Sequence, residues 1–225
     1  MCYVRDAGIE AVVDVGAYVG DYAGDLRAGG YRGRLLSIEP QDGVFGRLAG
    51  RCAGDPLWDC LQCGLGSADG EAVLSVSANE YSSSVLPILE SHVAAAPASR
   101  QRRSQRIPMR TLDSVVGEWG VPDGLLGVKI DVQGYEAEVL RGATATLPRV
   151  AFLEIELSLV SLYVGQVLFV EMIEDLRSRG LFLVNVDREF TDPRTQRALQ
   201  LNGIFLRCED DASGGDTGRQ RVKGG

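Results

Sequence analysis

The sequence predicts a single doubly wound α/β domain with a mainly parallel sheet. Three observations carry that expectation. Short apolar runs of strand length alternate with helix-length amphipathic stretches almost throughout. Three of the runs lead into a turn beside an acid: Asp14-Val15-Gly16, Glu39-Pro40 and Asp131-Val132-Gln133-Gly134. The 225 residues, 45% hydrophobic and 24% charged, suit one sizeable globular core.

The elements follow in order. Ala11–Val15 is an apolar run broken by Gly16, hence a first strand. Gly20–Ala28 reads as a helix, Arg34–Glu39 as the second strand, Val44–Ala49 as a helix and Leu57–Cys63 as the third strand. Glu71–Ser77 alternates polar and apolar residues, the pattern of a sheet-edge strand. Residues 78–105 are polar, Ser-rich and then Arg-rich, and are expected to form an insertion loop or lid. Thr111 is placed to N-cap a helix over Thr111–Trp119. Leu126–Val132 is the fourth strand, Tyr135–Arg141 a helix and Val150–Leu157 the fifth strand. The helix Val167–Arg179 is amphipathic, and its apolar residues are read as core. Leu181–Asp187 and Asn202–Arg207 then form an antiparallel pair. The domain is expected over residues 1–208, with a disordered tail over 209–225, which has almost no apolar residues.

Composition bounds the function. The net charge of −8 argues against a nucleic-acid partner. Arg100, Arg102, Arg103, Arg106 and Arg110 crowd one segment. Such a run is read as a solvated loop, the alternative being a receptor for an anionic substrate group. No run is long enough to span a membrane, and Met1–Asp6 is too short and polar for a signal peptide. Five scattered cysteines suit free thiols. These readings place the chain in the cytoplasm. Cys60-x-x-Cys63 lacks a second pair of zinc ligands at motif spacing, so no metal site is expected there.

The chemistry concentrates at the strand ends, where open α/β sheets bind their ligands. The loop Asp14-Val15-Gly16-Ala17-Tyr18-Val19-Gly20 follows the first strand. Glycine there lets backbone approach a ligand, and Glu39 at the next strand end can accept from a ribose diol. A dinucleotide loop would carry Gly-x-Gly-x-x-Gly. Here Asp14 takes the first glycine position, and a carboxylate repels pyrophosphate but suits a cationic cofactor such as S-adenosylmethionine. Cys63-Gly64-Leu65-Gly66 either packs on the adenine, through Gly64 and Leu65, or is a plain β-turn.

Lys129 and Asp131 share one face of the fourth strand. Two charges on a buried strand need a reason. Asp131 is read as the residue that positions the cofactor or acceptor and takes a proton, against the alternative that it only pairs with Lys129. Glu154 and Glu156 share a face of the neighbouring strand, one able to pair with Lys129 and the other to face substrate; Glu154 is carried as a catalytic candidate. His92, the only histidine, is a candidate general base or else a surface loop residue. Ser83, Ser84, Gln133 and Glu136 are candidates for substrate binding. A carboxylate cluster of Asp131, Glu154 and Glu136 is an alternative cation site, but a metal-free site is expected.

In these pieces the chain resembles the FkbM family of S-adenosylmethionine-dependent O-methyltransferases. They run in the family's order: Val13-Asp14-Val15-Gly16-Ala17 with Gly20, Ser37-Ile38-Glu39-Pro40, Gly64-Leu65-Gly66, Ser82-Ser83-Ser84, Thr111-Leu112-Asp113, Val128 through Glu136, Leu140-Arg141-Gly142-Ala143 and Leu153-Glu154. The resemblance covers about Val12 to Leu206. It implies a Rossmann-like class I methyltransferase fold, with seven strands, the last antiparallel, and helices on both faces. It also implies methyl transfer from S-adenosylmethionine to a hydroxyl of a sugar or natural-product scaffold. The cofactor would be held by Asp14, Gly16, Ala17, Tyr18, Gly20, Glu39, Gly64, Leu65 and Asp131. Two features depart from the family: Tyr18 replaces the usual asparagine, and few residues precede the first motif, so any lid must come from elsewhere, such as residues 78–105. A homodimer is a possible assembly. The competing classes are an NAD-type oxidoreductase and a silent nucleoside-binding module in which Tyr18 blocks the pocket.

Overall fold

The structure, a computed structural model, describes residues 8–121 and 123–207. Met1–Asp6, Cys208 and the segment 209–225 therefore lie outside the described residues.

Among the described residues, seven strands form the main sheet: β1 (Ala11–Val15), β2 (Arg34–Ile38), β3 (Trp58–Leu61), β7 (Leu126–Ile130), β8 (Val150–Ser158), β9 (Leu181–Thr191) and β10 (Ala198–Arg207). Their order is β3-β2-β1-β7-β8-β10-β9. Only β10 runs antiparallel, to both β8 and β9. β1 lies inside the sheet between β2 and β7 and buries all its residues, as a strand covered on both faces must.

Alternation along these strands builds two cores. On one face Val13, Leu36, Val128 and Leu153 pack with Val115, Leu140 and Leu176 from α4 (Leu112–Trp119), α5 (Glu136–Arg141) and α6 (Phe169–Ser178). On the other, Val12, Leu35 and Phe152 pack with Ala23, Leu26 and Leu48 from α1 (Asp21–Ala28) and α2 (Asp42–Cys52). Thr111 caps α4 as expected, its side chain accepting from the Ser114 N–H.

One expectation holds in an unexpected place and one fails. Gly70–Ser77 (β5) is an edge strand as expected, but of a separate three-stranded sheet in which Gln101–Arg110 (β6) lies between it and Gly64–Leu65 (β4). Residues 101–105 are thus strand rather than loop. Only Ile107 and Met109 of β6 turn inward, onto Leu74 and Val76, so its apolar period was too short to read. The remaining insertion carries a short helix, α3 (Glu90–Ala95). Among the described residues no helix is long and apolar enough to cross a membrane.

Candidate active site

A cleft opens at the carboxyl ends of β1, β2 and β7 and is walled on one side by the small sheet. Its lining includes Gly16, Tyr18, Glu39, Gly64, Leu65, Asp131 and Gln133, with Leu74, Ile107 and Met109 as an apolar wall. It encloses about 870 Å³, counting the open mouth.

The first loop is held by its own backbone. Gly16 and Ala17 both donate their N–H to the Ile38 carbonyl, at 2.9 and 3.0 Å. Those donors are spent, so the loop is not a phosphate cradle. Gly16 has φ 78°, and a Cβ there would overlap the Asp131 carbonyl oxygen. Only glycine lets β1's loop meet the end of β7. Asp14, Ala17 and Gly20, expected to touch a cofactor, do not line the cleft. Asp14 is buried behind its wall, and a Cβ on Gly20 would press on Leu48 and Trp58. Tyr18 also has positive φ, 51°, a conformation that asparagine adopts more readily. Its ring stacks on Tyr81, with centroids 4.3 Å apart, and forms one wall of an open cleft rather than a plug.

Glu39 is almost fully buried. Its two oxygens accept from the Tyr18 N–H (3.0 Å) and the Gln41 N–H (2.9 Å). Burial pushes its carboxyl up to about 7, although those two N–H groups pull the other way. Each oxygen keeps a lone pair for a ligand hydroxyl.

Asp131 lines the cleft with both oxygens oriented. Lys129 Nζ lies 3.2 Å from Oδ2, and Gln133 Nε2 donates to Oδ1 at 3.0 Å. Lys129 also lies 4.0 Å from Asp14, whose two oxygens make no hydrogen bond. Burial pushes Asp14 up to about 6, against the pull of Lys129. Burial alone would lower Lys129; the carboxylates of Asp131, Asp14 and Glu154 outweigh it, and its pKa is raised. Lys129 is therefore a buried counter-charge on a central strand.

Other candidates are relocated. Glu154 lines neither cavity and forms no ion pair with Lys129 within 4.0 Å; it sits across from Lys129 in the register and bonds Tyr22. It lies four residues short of the strand end at Ser158, and Glu156, two residues further on, lines a neighbouring cavity instead. Glu136 lines no cavity. Its Oε1 accepts from Val132 N (3.1 Å) and Gly134 N (3.0 Å), fastening the turn after Asp131. That turn puts Gln133 at φ 57° and aims its amide at Asp131. Ser83 and Ser84 do line the cleft, Ser84 donating to the Gln133 carbonyl at 2.7 Å. His92 is neither in a surface loop nor in the main cleft. It is buried in α3 beside Tyr163 and Phe190, and burial pushes it down to about 4. The arginines of β6 line neither cavity and pair on the surface, Arg106 with Glu71 and Arg110 with Asp69 and Glu118. Cys60 and Cys63 are free thiols. Sequence reasoning missed Tyr81 and Glu189, which reach the cleft from the insertion and from β9.

A family model described as Methyltransferase FkbM domain matches residues 14–182. The chain belongs to the FkbM methyltransferase family. Among solved structures, it is similar to the methyltransferase FkbM from Methylobacillus flagellatus KT, at 17% identity and TM-score 0.52, over 87% of this chain and 44% of that one. It thus spans less than half of that protein's length. It is also similar in fold to a putative S-adenosylmethionine dependent methyltransferase from Listeria monocytogenes, at 10% identity and TM-score 0.50, over 92% and 95% of the two chains. A comparison with curated protein sequences finds no match. Membership in this family sets aside the NAD-type oxidoreductase. The residues present fit S-adenosylmethionine: Glu39 offers acceptors to a ribose diol, Leu65 and the small-sheet wall offer apolar surface to a base, and Gly16 and Asp131 border the remaining space.

Proposed function

We propose that this FkbM-family methyltransferase methylates a hydroxyl of a small molecule, a sugar or natural-product scaffold. One observation carries the reading: Glu39 and Asp131, from two separate strand ends, face a single cleft floored by Gly16. S-adenosylmethionine supplies an already activated methyl group on a sulfonium. The protein's part is then alignment and proton removal. Glu39 fixes the ribose end. Asp131, anchored by Lys129 and Gln133, borders the point of transfer, orients the acceptor hydroxyl and takes its proton. A nucleic-acid acceptor is disfavoured because, among the described residues, no lysine or arginine lines the cleft, whereas Glu39, Glu80, Asp131 and Glu189 do.

The test is transfer of a labelled methyl group from S-adenosylmethionine to a panel of hydroxyl compounds, with matched amines and thiols as controls. Label on oxygen is the expected result. Transfer only to nitrogen or sulfur would reject the hydroxyl assignment. Failure to bind S-adenosylhomocysteine would favour the silent binding module.

A further inference from the structure

A second cavity, of about 530 Å³ counting its open mouth, adjoins the cleft and shares Tyr81, Gln133 and Glu189 with it. Two of its polar side chains are almost wholly buried, and each leaves one polar atom without a partner. Glu156, 4% exposed, has no hydrogen bond at Oε2, and His92, 3% exposed, has none at Nδ1. Buried polar atoms are nearly always satisfied, so two such orphans on residues that line one hollow mark a place for a ligand.

The hydrogen-bond inventory says what kind. Gln133 has spent both amide hydrogens, on Asp131 (3.0 Å) and on Glu156 Oε1 (3.1 Å). Asn79 donates to Ser82 Oγ at 3.1 Å, and Gln200 to Ser158 Oγ at 3.3 Å, each with one of its two amide hydrogens. The acidic and imidazole side chains of the hollow offer acceptors: Glu156 Oε2, the Glu189 carboxylate and the lone pair of a neutral imidazole. Among the described residues no lysine or arginine lines it. Tyr81 and Phe190 add aromatic surface, which a cation prefers to an anion. A phosphate or carboxylate would face Glu156 and Glu189 with no lining cation among the described residues to pair with.

We infer that this cavity is an acceptor subsite and takes an ammonium group, so that the acceptor is an amine-bearing hydroxyl compound whose N–H groups bond Glu156 and His92. The inference rests on the methyl-transfer reading for the word acceptor; the ammonium site itself stands on the cavity alone. Burial and the charges of Asp131, Glu136 and Glu189 hold the Glu156 carboxyl well above its usual range. An entering ammonium replaces the missing counter-charge, and the carboxyl proton leaves to solvent.

The chain's single histidine makes the test direct. Protein labelled with ¹⁵N-histidine shows one imidazole, that of His92. With S-adenosylhomocysteine saturating, it is titrated with two matched pairs, ethanolamine against ethylene glycol and glucosamine against glucose, and with glucose 6-phosphate. The amines are expected to shift the His92 ring nitrogens with affinity at least about tenfold above their hydroxyl partners. Glu156→Gln is expected to lose that preference while keeping S-adenosylhomocysteine binding, which reports that it folds. Glu189→Gln, on the exposed strand, is expected to weaken the amine response in the same direction. The proposal is overturned if neither amine perturbs His92, if glucose or glucose 6-phosphate does so equally, or if Glu156→Gln folds and responds as wild type. It is also overturned if the amine response disappears once S-adenosylhomocysteine is bound, because the cavity would then hold the cofactor's own ammonium. An amine response in a protein that binds no S-adenosylhomocysteine would sustain the ammonium site and remove the methyl-transfer reading.

Discussion

The two halves of the site are built by different means. The half around Gly16 and Glu39 is organised by backbone: Gly16 and Ala17 donate to Ile38, and Tyr18 and Gln41 donate to Glu39. The half around Glu156 and His92 is organised by side chains from six separate segments, and it keeps unpaired polar atoms. A backbone-built half depends on glycines and chain geometry and accepts little change. A side-chain-built half can be altered residue by residue while the sheet beneath stays intact. In an enzyme of this fold the first arrangement suits an invariant cofactor and the second a variable acceptor.

The sharpest way to break this contrast is Gly16→Ala. The added methyl overlaps the Asp131 carbonyl at a positive φ of 78°, with backbone rather than a flexible side chain opposing it. A loss of about 3 kcal/mol or more is expected in urea unfolding, together with loss of S-adenosylhomocysteine binding. A wild-type urea midpoint would show that the loop is not the rigid half. Next in size is Asp131→Asn, at the junction of the two halves. Turnover should fall by about 100-fold or more, as for removal of a proton acceptor, while S-adenosylhomocysteine affinity stays within about threefold of wild type. An equal fall in both would make Asp131 a cofactor ligand only.

The same contrast explains what the sequence reveals. Gly16, Glu39, Gly64, Leu65 and Asp131 were all legible, and all line the cleft, because strand ends and glycine turns are local signals. Glu154 was misplaced because period-two alternation assigns a face but not a depth along the strand. Glu156, two residues on, reaches the second cavity, and Glu136 turns back onto its own loop. His92, Tyr81 and Glu189 converge only through tertiary packing. β9 also runs to Thr191, beyond the predicted Asp187, through the polar Arg188-Glu189 pair, which carries no apolar signal. Seven strands with the last antiparallel were expected from the family resemblance, while the separate β4-β6-β5 sheet was not.

Glu39→Ala probes the cofactor half more gently. It removes acceptors from a ribose diol and leaves the Tyr18 and Gln41 N–H groups without their carboxylate. S-adenosylhomocysteine binding should weaken by about 1–3 kcal/mol, read by calorimetry. The amine response of His92 should persist, since Glu39 does not line the second cavity. Loss of both would mean that the halves are coupled through the Gly16 loop.

The smallest effect separates Glu39 from His92 by sign. Folding raises the Glu39 carboxyl from 4.5 to about 7, so the folded state holds that proton more tightly. Its contribution to stability is complete below about 4.5 and is lost as pH rises to about 7. His92 is shifted the other way, from 6.5 to about 4, so the folded state holds its proton less tightly. Its contribution is lost as pH falls from about 6.5 to about 4. Asp14, raised from 3.8 to about 6, and Glu136, raised from 4.5 to about 7, act in the direction of Glu39. Differences from wild type isolate each group. The stability of Glu39→Gln relative to wild type should increase between pH 4.5 and 7 in urea titrations, and that of His92→Phe should decrease over the same interval. Parallel slopes for the two variants would mean that burial does not set their opposite shifts, and the electrostatic contrast between the two halves would fall.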